Sequence, residues 1–517
     1  MTDKKLVRFR DYFAGRNVLL TGGTGFVGMA LTEGLLSASE KIGRIYVIVR
    51  EKRGLSPAER VTKLLTNEIF NHVPAEAKAK VIPLVGDLTA PNFGLREDIL
   101  VEIRHKVSVF YHNAGLIKFN RSVKEAIDMN LLTTQRAIDL AKTFSNLSAF
   151  IYSSTALVNS NIQDKITEEV YKTKKSPKEM IKMSQQQTSI LDKEADIKSD
   201  LIEGHQNSYT YAKQLAENLI AEEMVGMPAG ITRPSLVYGF YDHEMPGWMG
   251  NSQSGHCGHI RVFVKGAGRC LFGHPNNVLF AIPCDYVVKA TLALTVDVGT
   301  RPPNPSASPE IIHVSNNRDI NPITVQKTAT LLNEEAWKNP CDSYAFLPRC
   351  KIRNGLRADI FLFAAWIVAL MFYIPERILN LTPPWMRALH LLDLQVKARK
   401  YFTEISSSVM DLDLTKALQL TARLHPDDVD KYSFHPADID WRRMFAGSIM
   451  WLRKYYYKDS GAVTWMHRVV QRCFLLLEFS CYSAVFIASL VFFYLVAQSW
   501  IIGSIVGLIL VIFFVWV

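Results

Sequence analysis

The chain reads as a doubly wound α/β domain on a parallel sheet, followed by a mostly helical C-terminal domain and a hydrophobic tail. Three features carry this reading. Short runs that are apolar throughout alternate with stretches of helical spacing, the pattern of a parallel sheet covered on both faces. A glycine-rich turn, TGGTGFVG at residues 21–28, joins the first such strand to the first such helix. The last stretch, Cys473 to Val517, holds about 45 residues with Glu478 as its one charge.

The elements follow in order. NVLLT is a strand and FVGMALTEGLL a helix, with further strand-like runs at 44–50, 80–88, 107–115, 147–155 and 230–239. VKEAIDMNLLTTQRAIDLAKTF, residues 123–144, is one of the helical stretches between them. Residues 160–205 are a Lys- and Glu-rich insertion, expected to be helical and laid over the site, and 296–310 are a Pro-rich surface loop. The α/β pattern ends between Pro340 and Asn354, which divides the chain into 1–345, a helical domain at 346–465 and a membrane-anchoring tail at 473–517. The apolar stretch 360–374 is short for a span and reads as a buried or interfacial helix. Gln498, Ser499 and Trp500 split the tail, giving either two spans or one span and an interfacial helix. Lys454, Lys458, His467, Arg468 and Arg472 upstream of it put the preceding chain on the cytosolic side.

A chain of 517 residues exceeds what one core accommodates, so at least two folded units are expected. Its 59 Lys and Arg against 49 Asp and Glu are spread along the length, which speaks for an anionic small molecule or membrane surface and against nucleic acid. Seven cysteines without a CxxC pair indicate reduced thiols. The charged N-terminus lacks the apolar core of a cleaved secretory signal.

Chemistry concentrates in four places. Gly22, Gly25 and Gly28, with Thr24 and Phe26 among them, suit a Rossmann-type dinucleotide turn. One glycine turns the chain out of the strand, one admits a pyrophosphate and one lets helix meet sheet. Arg50 ends the second strand where an NAD-binding protein usually has Asp or Glu, and with Arg53 or Lys52 it suits a 2′-phosphate, which favours NADPH. Asp87 borders the adenine, and the HNAG turn, with Asn113 and Ala114, lies on the ribose and nicotinamide side. Tyr209 and Lys213 stand at i and i+4 where a helical pattern begins, so the ammonium, together with the nicotinamide's positive charge, is expected to lower the phenol's pKa. Ser153 to Thr155 offer hydroxyls to a substrate carbonyl. GHCGH, with His256, Cys257 and His259 and perhaps His243, matches no standard structural metal spacing, and no metal is expected.

TGGTGFVG, HNAG, SSTA and YTYAK in this order resemble the extended short-chain dehydrogenase/reductases. EKRGLSPAERV, RPSLV followed by MPGW, IPCDYVV, HVSNNRDINPIT, FHPADIDWRRM and IMWLRKYYY further resemble the fatty acyl-CoA reductases, from about residue 10 to about 460. Departures are HNAG for H-x-A-A, MPGWMGN for PGW-x-DN and Phe445 where Tyr is common. The resemblance implies an active Thr155, with Ser154 as the neighbouring alternative, and Tyr209 and Lys213 beside it, and an Asn130 supporting the lysine through water. It further implies NADPH as cofactor, a long-chain acyl-CoA as substrate and fatty alcohol as product, with an anchored protein at the peroxisomal membrane or endoplasmic reticulum. A membrane-bound sterol dehydrogenase and a non-catalytic lipid-binding scaffold are the alternatives.

Overall fold

The computed structural model describes residues 6–119, 121–162, 164–186, 200–250, 255–266, 268–342, 347–363 and 411–459. It also describes scattered positions between 365 and 399, and residues 463–497, 501, 504 and 505. They divide into two compact units. The first comprises Met1–Gln253, Val278–Pro322 and Ser408–Asp440, and the second Ser254–Asn277, Ile323–Ser407 and Trp441–Val517.

The first unit is built on seven strands: β1 (Asn17–Thr21), β2 (Ile45–Val49), β3 (Val81–Val85), β4 (Val107–His112), β5 (Ala149–Ser153), β6 (Ala229–Pro234) and β7 (Glu310–Val314). All neighbours pair in parallel, in the order β3-β2-β1-β4-β5-β6-β7. The order reverses between β1 and β4, and in such sheets ligands bind at that reversal, beyond the carboxyl ends of the strands. Alternation assigns the two faces. Leu19, Phe110, Phe150 and Tyr152 share one core with Tyr211, Leu215 and Leu219 of the helix Ser208–Glu223. Tyr111, one residue out of phase with Phe110, instead bonds Thr295 on the helix Cys284–Gly299 at 2.8 Å.

Two sequence expectations change here. Residues 230–239 do not form one strand: β6 ends at Pro234, which has no N–H for the ladder, and Leu236–Tyr238 pairs separately with Ala281–Pro283. The stretch 296–310 is flanked more closely than a loop reading suggests, because the helix Cys284–Gly299 runs into it and β7 starts at its last residue.

A buried ionic network fixes one side of the sheet. Arg233 on β6 is fully buried and grips Glu217 bidentately, Nε to Oε1 at 3.0 Å and Nη2 to Oε2 at 2.6 Å. Its other N–H groups reach the carbonyls of Thr167 and Glu169. His313 donates from Nδ1 to the Asp413 carbonyl at 2.7 Å, which leaves Nε2 to accept from Arg233 at 3.1 Å. Burial, with the guanidinium beside it, pushes that imidazole down to about 3, so it stays neutral. Glu168 accepts from the backbone N–H groups of His313, Lys416 and Ala417, joining β7 to the first turn of the helix Thr415–Ala422.

The second unit contains the helices Gly255–Val264, Val325–Lys338 and Trp441–Trp451 and a parallel pair, Cys270–Phe272 with Lys351–Arg353. Arg442 reaches Glu335 at 2.7 Å, and buried Lys265 lies 3.6 Å from Asp459. The helix Trp465–Ala497 starts eight residues before the apolar run, and Arg468 and Gln471 tie its first turns to the Trp337 carbonyl. Among the described residues no helix is long and apolar enough to cross a membrane, so these residues do not support the expected spanning tail. Residues 498–500, 502, 503 and 506–517, and most of 360–374, lie outside the described residues.

Candidate active site

The glycine turn follows β1 directly. Gly22 has φ +72°, and a Cβ there would stand 2.8 Å from the Ala114 nitrogen. At Gly28 a Cβ would stand 2.2 Å from the Gly22 carbonyl oxygen, so the turn closes on its helix only when both are glycine. Gly25 caps the helix Phe26–Ala38 and is exposed, leaving the helix N-terminus open to an anion. Gly28→Ala is therefore expected to cost ~1–3 kcal/mol of stability through overpacking and to weaken dinucleotide binding at least tenfold, checked by thermal unfolding and cofactor titration.

Cationic side chains collect beside this turn. Arg60 donates to the Thr24 hydroxyl at 3.0 Å and to the Arg50 carbonyl at 2.6 Å. Partial burial, and then the like charges of Arg50, Arg60, Arg53 and Lys118, hold Lys52 below the usual ammonium range. Arg53 adopts a left-handed φ of +56° in the exposed turn after Arg50. Arg60 is the member that sequence reasoning missed. The signal was present: Ser56 and Glu59 form a capping box, with Glu59 accepting from the Ser56 N–H at 2.8 Å, which fixes Arg60 in the first turn of the helix Pro57–Leu65. Asp87 is exposed, and the Thr89 backbone N–H, bonded at 2.9 Å, lowers its pKa.

The chemical groups stand at the ends of β4 and β5. Asn207 caps the helix Ser208–Glu223 by accepting from Thr210 N at 3.0 Å, placing Tyr209 in the first turn. Thr155 accepts from Leu157 N at 3.2 Å, which leaves its own proton to donate, and its side chain is the influence that lowers the Tyr209 phenol against burial. Ser154, the neighbouring alternative, has a buried hydroxyl without a partner among the described residues. The two hydroxyls brought together are thus those of Thr155 and Tyr209.

Lys213 lies one turn further along the same face. Its Nζ donates to the Ser153 carbonyl at 2.8 Å and sits 4.5 Å from the centre of the Tyr152 ring. Burial pushes it down to about 7, opposed by the Glu217 carboxylate one more turn on. The ammonium alone does not bring the phenol down: burial dominates and raises Tyr209, with the Thr155 side chain as the opposing influence.

Asn130 sits in a π-helical turn, Ile127–Leu132, within the predicted helix. Its Oδ1 accepts from Leu116 N at 2.9 Å, and its Nδ2 donates to the Ala126 carbonyl at 3.2 Å. A Cβ added at Gly115 would stand 3.0 Å from Asn130 Oδ1 and 3.2 Å from Lys213 Nζ, so this glycine lets asparagine and lysine share one small space. Thr21 accepts from Ala114 N at 3.2 Å and is hydrogen-bonded to His112 Nδ1 at 2.9 Å, fixing Asn113 and Ala114 against the glycine turn.

The GHCGH residues are not assembled as a site in the described residues. Cys257 and His259 are buried, and burial pushes the thiol up to about 12 and the imidazole down to about 4. The His256 side chain lies outside the described residues, and His243 faces Glu33.

Comparison with known proteins agrees with the sheet and the turn. The family model described as "Male sterility protein", an NAD-binding family, matches residues 20–291. A Drosophila melanogaster protein named as a fatty acyl-CoA reductase is 38% identical over 477 residues, covering 92% of this chain and 87% of its own. Human fatty acyl-CoA reductase 1 is 28% identical over 463 residues, covering 88% of this chain and 87% of its own. Among solved structures, the terminal R domain of the myxalamid biosynthetic pathway matches with a TM-score of 0.57 at 19% identity over 86% of this chain and 92% of its own, a likeness of fold. Matches of this extent settle the lineage: the chain belongs to the male sterility protein family and is a relative of the fatty acyl-CoA reductases.

Proposed function

We propose that the protein is an alcohol-forming fatty acyl-CoA reductase that converts a long-chain acyl-CoA and two NADPH to fatty alcohol and free CoA. The observation that carries this reading is the Thr155–Tyr209 hydroxyl pair, with Lys213 one helical turn on, at the strand ends beside the glycine turn. A glycine cradle that any Cβ would fill, with an open helix N-terminus beyond it, fits a nicotinamide dinucleotide, and that cofactor supplies hydride.

Tyr209 and Thr155 donate hydrogen bonds to the thioester carbonyl oxygen and stabilise the charge that develops on it. The resulting hemithioacetal breaks its C–S bond to give aldehyde and CoA. In the second reduction Tyr209 gives its proton to the alkoxide oxygen, completing the alcohol. Lys213 holds its charge behind the phenol through the Ser153 carbonyl, and Asn130 fixes the Leu116 backbone beside it.

The preference for NADPH rests on the Arg50, Arg53 and Arg60 cluster. Arg60→Ala is expected to lower the ratio of kcat/KM for NADPH over NADH roughly 10- to 100-fold, the value of a charge-assisted phosphate contact. Steady-state kinetics with both cofactors checks this. The proposal extends to a catalytic region facing the cytosol, attachment at the peroxisomal membrane and supply of ether lipid or wax synthesis. The apolar sequence 473–517 and the exposed Leu476, Leu477, Phe479, Ile487 and Val491 support attachment.

The deciding experiment gives detergent-solubilised protein a long-chain acyl-CoA with NADPH or NADH and identifies the lipid product by mass spectrometry. Two NADPH oxidised per CoA released, with fatty alcohol formed, is the expected result. One per CoA means release at the aldehyde, and turnover of a hydroxysteroid alone overturns the reading.

A further inference from the structure

Glu33, His72 and His243 are far apart in sequence, yet their ligand-type atoms lie within 4.8 Å of one another. The Glu33 carboxylate is 4% exposed. It stands 3.0 Å from His72 Nε2 through Oε1 and 3.4 Å from His243 Nε2 through Oε2, and the Ser37 hydroxyl donates to Oε1 at 2.5 Å. Two imidazoles and a carboxylate are a common zinc set, but the hydrogen bonding argues otherwise here. His243 Nδ1 accepts from Met245 N at 3.1 Å, so the ring's proton sits on Nε2, the atom that a metal would need. The cluster is therefore a carboxylate accepting from three donors. Burial alone would raise Glu33, and the bonds from His243, His72 and Ser37 more than offset it, holding the carboxyl at about 2.

What this carboxylate ties together gives it a use. Glu33 lies on the helix that opens at the glycine turn, two turns after Phe26. His243 belongs to the 240–250 segment, which folds on itself through Phe240 N to Trp248 O at 3.0 Å and Gly247 N to Phe240 O at 2.7 Å. Within that segment the His243 ring lies 4.6 Å from Phe240, and Phe240 lies 4.8 Å from Trp248. Fully buried Trp248 then packs 5.3 Å from Phe26 and donates to Asn67 at 2.8 Å. Gly250 approaches the same pair, since a Cβ there would meet Trp248 at 3.1 Å and Phe26 at 3.4 Å. Phe26 is the first residue of the helix whose N-terminus faces the pyrophosphate in the dinucleotide reading.

We infer that Glu33 is a positioning residue for cofactor binding: clamped between His72 and His243, it holds the 240–250 segment against the first turn of the dinucleotide helix and so shapes the phosphate end of that site. The inference rests on the dinucleotide reading of the glycine turn.

The test uses the full-length protein and two variants on opposite sides of the contact, Glu33→Gln and His243→Gln. Hydrogen exchange of backbone 240–250 is measured without cofactor, and NADPH affinity and steady-state kinetics are measured separately. Exchange in the segment is expected to rise roughly tenfold in both variants, and the kinetic loss to fall on the KM for NADPH by about tenfold, leaving kcat as the less affected constant. Unchanged exchange in both variants overturns the clamp. Raised exchange with unchanged NADPH KM overturns its role in cofactor binding. Stoichiometric zinc in the purified wild type that Glu33→Gln loses would make the cluster a metal centre and also overturn it. Wild type that binds no NADPH overturns the dinucleotide reading, while the exchange measurement, made without cofactor, still decides the clamp.

Discussion

Tyr209→Phe is expected to lower kcat/KM for acyl-CoA roughly 10²- to 10⁴-fold, the usual value of a positioned general acid, while the protein still folds and titrates NADPH. The ring loses only its hydroxyl, and its packing 5.8 Å from the Phe119 ring does not depend on that group. Thr155 then keeps its bond to Leu157 N but has no phenol to orient. The pH profile separates this role from that of Lys213. Burial has depressed the lysine to about 7, so its charge is present below that pH and lost as pH rises through it. In the free enzyme kcat/KM should therefore decline above about pH 7, and Lys213→Met should remove that limb along with most of the activity. A single-turnover measurement with acyl-CoA checks both. A Tyr209→Phe protein with full reductase activity would remove the phenol from the mechanism.

Arg233→Met should be the most destabilising single change in the first unit, at ~3–5 kcal/mol, because it leaves Glu217 ionised and unpaired in the core. The guanidinium also serves two carbonyls and the His313 ring, so those acceptors lose their donors in the same step. The double variant Glu217→Leu with Arg233→Met should recover much of the loss, since an apolar pair of similar volume avoids the desolvation of both charges. Thermal unfolding of the four proteins in the cycle gives the coupling directly. The double variant also removes the carboxylate that opposes the depression of Lys213, so its activity should decline at a lower pH than that of the wild type.

The sheet was legible for a simple reason: strands such as β1, β2, β4 and β5 alternate with helical stretches and are largely apolar on both faces, a pattern that helices and loops do not share. The seventh, EIIHV, is five residues long, opens with a charge and follows a Pro-rich stretch, so nothing local marked it. The glycine turn and the Tyr209–Lys213 spacing were legible because their geometry is local. Which of Ser154 and Thr155 faces the phenol depends on how the chain turns after β5, and that turn is set by the Leu157 bond, which sequence does not announce. The depth of the site was not legible for a related reason: spacing gives the distance between phenol and ammonium but not their burial, and burial is the largest influence on both groups. Glu33, His72 and His243 carry no shared spacing at all, and only the folded chain brings them together.

The π turn at Ile127–Leu132 puts the two halves of one helix out of step. A turn one residue wider than usual rotates everything after it by about 100° relative to an unbroken helix. Both halves reach the same core, Val123 before the turn and Ala137, Ile138 and Ala141 after it, while the turn itself carries Asn130 into the space beside Lys213. No single helical wheel describes residues 123–144, and alignments of relatives that slip by one position across Asn130 would carry the wrong residue into the space beside Lys213.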